Sequence, residues 1–149
     1  MKISVEKIER STPEQIIIQC YRVTDRVNSI IDFVKSTGDS LAGYNDENVT
    51  QIFLTDIFYV ESVDNRVFAY TKNQTYELRV KLYEFEQVYK KRRFFRCSKS
   101  MIVNLMKVNS VYPIFNGRFA AKLLNGEEVI ISRSYVLELK KILSGGGSL

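Results

Sequence analysis

The chain has 149 residues, 45% hydrophobic and 26% charged, with a formal net charge of +5. That is enough for one domain, or one domain plus a small appendage, with a real core. Histidine is absent, which removes Ser-His and Cys-His nucleophile activation, histidine acid–base chemistry and most zinc sites.

No Gly-rich phosphate loop of the Walker or dinucleotide type occurs, so nucleotide binding has no support. Carboxylate-pair catalysis leaves no spacing signature, and nothing else gives an enzyme a foothold. The expectation is a non-enzyme with no cofactor, no metal and no small-molecule substrate. No window approaches the roughly 18 apolar residues of a membrane span. The first residues, Met-Lys-Ile-Ser-Val-Glu-Lys, lack the apolar stretch of a secretory signal. Cys20 and Cys97 have no metal-ligand spacing and suggest no disulfide framework, so a cytoplasmic location is expected.

In chain order, residues 2–6 alternate as a strand does, and 15–21 form a β-branched run, with Pro13 between them. Val27, Ile30, Ile31 and Val34 then recur at helical spacing. Thr24 or Asp25 is placed to cap this helix and Gly38 to end it. The expectation for residues 1–44 is a β-β-α extension, too small to be comfortable alone and suited to dimerisation or a partner. The Gly/Asp/Ser/Asn-rich stretch 36–46 reads as a connector.

Strands are expected at 51–55, 56–63, 66–71 and 75–79, with Lys72-Asn73-Gln74 as a turn. Leu78, Leu82, Phe85, Val88 and Tyr89 share one helical face. A short apolar element covers 101–106. Asn116-Gly117 and Asn125-Gly126 are expected as two-residue hairpin turns around 118–124. Residues 127–131 pair back, and Ser132 or Ser134 is placed to cap a last helix carrying Val136, Leu139, Ile142 and Leu143. Residues 145–149 read as a flexible tail. The fold class is mainly β with short helices (α+β), and not a helix-turn-helix.

Charge is unevenly placed. Segment 79–99 holds eight basic residues, Arg79, Lys81, Lys90, Lys91, Arg92, Arg93, Arg96 and Lys99, against Glu84 and Glu86. Its net +6 exceeds that of the whole chain, so the positive field is local and suits a polyanion, nucleic acid by default. Within it, Lys90–Arg93 reads equally well as a solvated helix end favoured by the macrodipole. Phe94 and Phe95 read as core. Arg96, Ser98, Lys99 and Ser100 combine phosphate-binding hydroxyls with cations able to reach a base edge. Asn65-Arg66, Arg118 and Ser132-Arg133-Ser134 are similar polar, cationic turns.

Four stretches fall in a telling order: Asp56-Ile57-Phe58-Tyr59-Val60-Glu61-Ser62; Leu82-Tyr83-Glu84-Phe85; Phe95-Arg96-Cys97-Ser98-Lys99-Ser100-Met101-Ile102-Val103-Asn104; and Ile131-Ser132-Arg133-Ser134-Tyr135. This order resembles the LytTR DNA-binding domain of bacterial transcription regulators, whose pattern reads roughly D-I-x-Y-I-E-S, F-x-R-x-H-(R/N)-S-x-(I/V)-V-N and (I/V)-S-R-x-Y. The resemblance covers about residues 45–144. It implies an elongated body of stacked β-sheets whose loops enter successive major grooves of duplex DNA and bend it.

Carried over by position, Lys99, Arg133, Ser134, Asn65 and Arg66 would meet base edges. Arg79, Lys81, Arg96, Ser98, Ser100, Arg118 and Ser132 would meet phosphates. Ser98 stands where the family usually has His, and Lys99 where it has Arg or Asn; this puts the base preference in doubt and leaves the fold intact. Asn104 is expected to be structural.

The residues ahead of the match are too few for a receiver domain. The resemblance is therefore to the stand-alone type, expected as a homodimer, for which a regulatory membrane-protein partner is one arrangement. A redox switch at Cys97 is disfavoured, since Cys20 is far away in sequence. The alternative is a non-catalytic interaction module that binds an acidic protein or an anionic membrane surface through the same basic patch.

Overall fold

The computed structural model describes residues 1–36 and 38–144. Three helices, α1 (Asp25–Ser36), α2 (Leu82–Tyr89) and α3 (Arg133–Ser144), accompany ten strands. These are β1 (Ser40–Asn45), β2 (Asn48–Phe53), β3 (Tyr59–Val63), β4 (Arg66–Tyr70), β5 (Thr75–Leu78), β6 (Phe94–Arg96), β7 (Met101–Asn104), β8 (Val108–Pro113), β9 (Phe119–Leu123) and β10 (Glu128–Ile131). Seven strands form one antiparallel sheet in the order β2-β1-β5-β4-β3-β7-β6, and three form a second in the order β10-β9-β8.

Strand alternation builds two cores on opposite faces of the larger sheet. Neighbouring strand residues point to opposite faces, so Phe94 and Ile102 join Phe85, Leu82, Leu54 and Ile57 under α2. Phe95 and Val103 join Leu123, Ile131, Val136 and Leu139 of the second sheet and α3. Phe94 meets the Phe85 ring edge-on, with centroids 5.1 Å apart. Both phenylalanines are thus core residues, on opposite sides of one sheet. Asn104 is buried; its Nδ2 donates to the Ile57 carbonyl at 2.8 Å and its Oδ1 accepts from the Met106 N–H at 3.0 Å.

The sequence-based expectations differ from the structure at several elements. The strands expected at 2–6 and 15–21 are absent: residues 1–24 contain no strand, and α1 is the first element. Isolated β-branched runs need a partner edge, and none pairs with them here. Thr24 caps α1, its Oγ1 accepting from the Val27 N–H.

The stretch read as a connector contains β1, paired along its length with β2 across the Asp46-Glu47 turn. Gly43 is needed there because a Cβ would lie 2.9 Å from the Tyr76 Cβ on β5. Neither Asn-Gly pair makes a two-residue turn. Asn116 and Gly117 both take positive φ inside a five-residue link from β8 to β9, and the second link spans four residues from β9 to β10. The tail at 145–149 lies outside the described residues.

Candidate nucleic-acid interface

Antiparallel pairing sends several connections to one end of the larger sheet. The β3–β4 turn, Asp64-Asn65, closes there with both residues at positive φ, as a tight hairpin of this hand requires. β5 exits beside Val67 into Arg79, Val80 and Lys81. The β6–β7 loop, Cys97 to Ser100, leaves at the same end. Two backbone bonds tie the β6–β7 loop to the end of β3 and to the segment between β10 and α3. The Ser62 N–H donates to the Ser100 carbonyl at 2.8 Å, and the Ser132 N–H donates to the Cys97 carbonyl at 2.8 Å. Three segments that are far apart in sequence therefore form one continuous rim.

The 97–100 loop is held by its own backbone and by Arg96. The Cys97 and Ser98 N–H groups both donate to the Met101 carbonyl, and the Ser100 N–H donates to Ser98 Oγ at 3.2 Å. Arg96 donates from Nε to the Ser98 carbonyl at 2.6 Å, from Nη2 to the Lys99 carbonyl, and from Nη1 to Glu86 at 2.8 Å. Its side chain is only 18% exposed. Arg96, expected from sequence to meet a phosphate, is instead engaged inward as the clamp of the loop. The planar fork matches this three-way geometry; a lysine could not. Lys99 and Ser100 stand exposed at the tip, with Ser98 half-buried.

The other expected contacts divide by their partners. Arg66 is exposed but paired through two bonds with Glu77 on β5, at 2.8 and 3.1 Å, which lowers the Glu77 carboxyl pKa. Asn65 is exposed beside it. Arg79 stacks 3.8 Å over the Tyr44 ring. Lys81 is exposed at the start of α2, where its N–H donates to the Glu84 carboxylate at 2.9 Å. Arg133 and Ser134 open α3 and are exposed, with Ser132 half-buried before them. Arg118 Nε donates to the Phe115 carbonyl at 3.2 Å.

Arg133 also packs on the β8–β9 link: a Cβ on Gly117 would meet its side-chain Cδ at 3.1 Å. That link was not read as part of the site beyond Arg118. The exposed Phe115 on it had no sequence signal, since an aromatic in a β-rich chain reads as core. Cys97 is fully buried, and burial pushes its thiol up to about 12; a thiol held protonated is a poor redox sensor.

Comparison with known proteins follows the same segment. The LytTr DNA-binding domain family model matches residues 47–144. The transcriptional regulatory protein YpdB of Escherichia coli K12 is 31% identical over 111 residues, which is 74% of this chain and 46% of YpdB. The chain thus spans less than half the length of that relative. The uncharacterized HTH-type transcriptional regulator SAB2242 of Staphylococcus aureus is 31% identical over 97% of this chain and 99% of its own length. A solved LytTr DNA-binding domain from Bacillus cereus superposes with a TM-score of 0.67 at 27% identity, covering 70% of this chain and 96% of that one. No helix among the described residues is long and apolar enough to cross a membrane. The chain belongs to the LytTR family of DNA-binding domains.

Proposed function

We propose that this protein is a cytoplasmic, non-enzymatic transcription regulator that reads duplex DNA through the rim loops, set into successive major grooves. The observation that supports this best is the joining of three loops by the Ser62–Ser100 and Ser132–Cys97 backbone bonds. It gathers Lys99, Arg133, Ser134 and Asn65 as base-reading groups. Ser98, Ser100, Ser132, Arg79, Lys81 and Arg118 become phosphate contacts beside them, and Arg96 acts as a positioning residue. Arg66, tied to Glu77, is a weaker base reader than its sequence position implied.

The test compares affinity for the DNA upstream of the protein's own gene with affinity for a scrambled duplex at one salt concentration. Specific recognition gives a preference of about a thousand-fold or more. A ratio near one is evidence against the reading and favours a general polyanion surface.

Residues 1–24 are the proposed dimerisation or partner surface, where a second copy or a regulatory membrane protein would dock. Ile3, Val5, Ile16 and Ile17 are all more than two-thirds exposed, whereas Val27 of α1 is buried. A deletion of residues 2–23 tests it and spares β1. Light scattering should show a dimer becoming a monomer; an unchanged dimer would sink the proposal.

A further inference from the structure

We infer that Phe115 is an apolar wedge that enters the DNA at a base step beside the proposed base-reading loops and unstacks it; the inference rests on the DNA-binding reading above. Single exposed apolar residues are ordinary on protein surfaces. Phe115 differs in how it is held and in what surrounds it. It is 78% exposed, the most exposed aromatic ring of the two-sheet body among the described residues.

Its backbone is fixed. The next two residues, Asn116 and Gly117, take φ of 63° and 73°. The turn is closed by the Ile114 N–H on the Arg118 carbonyl at 2.9 Å, and Arg118 Nε donates back to the Phe115 carbonyl itself. A Cβ on Gly117 would be a tight 3.1 Å from Arg133 Cδ, so the Arg133 stem lies against the turn.

The ring is therefore presented by a rigid turn between Arg118 and Arg133, and Arg133 follows the residue bonded to Cys97. Proteins that kink duplexes insert apolar wedges between base steps from the minor groove, the groove that lies between successive major-groove sites, and Arg118 would anchor the adjacent phosphate. No ring–ring or cation–ring contact within the described residues engages Phe115, so the ring is free to leave water for the stack.

The experiment uses the full chain and the bound promoter duplex, with 2-aminopurine placed in turn at each step of the footprint. Wild type should raise the fluorescence at one step. Phe115→Ala should abolish that rise and weaken specific binding about ten-fold, with the thermal midpoint little changed because the side chain is largely exposed. Phe115→Trp should restore both. The inference is overturned if wild type raises the fluorescence at no step, or if Phe115→Ala keeps signal and affinity. It is equally overturned if Phe115→Ala changes only the oligomeric state, which would make the ring a protein contact. Failure of wild type to prefer the promoter at all would instead strike the DNA-binding reading.

Discussion

The two ends of β6 carry the same kind of residue and do opposite things. At its start lies Lys90-Lys91-Arg92-Arg93, the densest charge in the chain. Arg92 is paired with Asp39 at 3.1 Å and reaches the Asp32 carbonyl of α1. Arg93 takes a left-handed φ of 71°, and its Nε is buried without a hydrogen-bond partner among the described residues. At the end of β6 lies a sparser set, in which one arginine holds a loop and leaves one lysine free. At the charge-dense end, Arg92 ties α1 to the sheet. At the rim, Arg96 fixes the loop whose exposed tip carries Lys99.

That contrast can be broken at graded strengths. Phe95→Ala, which removes the ring of β6 from the core beneath α3, should destabilise the fold by about 3–5 kcal/mol in chemical denaturation. Arg96→Ala should cost about 1.5–3 kcal/mol and also reduce promoter preference, with no rescue by Arg96→Lys. Retained preference would mean that the loop does not need its clamp. Lys99→Ala should leave stability unchanged and lower discrimination by about 1–3 kcal/mol at one base position. Equal weakening on all sequences would reassign it to a phosphate. Arg92→Ala, at a partly exposed ion pair, should change stability by about 1 kcal/mol or less and DNA preference not at all.

Much of this fold was legible from period alone. The alternation at 66–71 became β4, and of the stripe Leu78, Leu82, Phe85, Val88 and Tyr89 three became the packed face of α2, whereas Leu78 ends β5 and Val88 is exposed. β1 was hidden because its composition, with Gly43 and flanking polar residues, is that of a loop; the Asp46-Glu47 turn and the close approach of Tyr76 make it a strand. The converse holds at residues 2–6 and 15–21, where the composition is that of strands and no edge receives them.

The site residues were legible as cations in turns, and their neighbourhood was not. Glu77 beside Arg66, Glu86 beside Arg96 and Gly117 beside Arg133 are 10 to 16 residues distant in sequence; strand pairing joins the first pair, and the placement of α2 and α3 on the sheets joins the other two.

The most direct test of which end of β6 meets DNA is the salt dependence of promoter affinity in two double variants. Removing Lys90 and Lys91 together should leave the slope of log affinity against log salt unchanged. Removing Arg79 and Lys81 together should flatten it by about two units. The reverse pattern would place the interface at the charge-dense end and contradict the account.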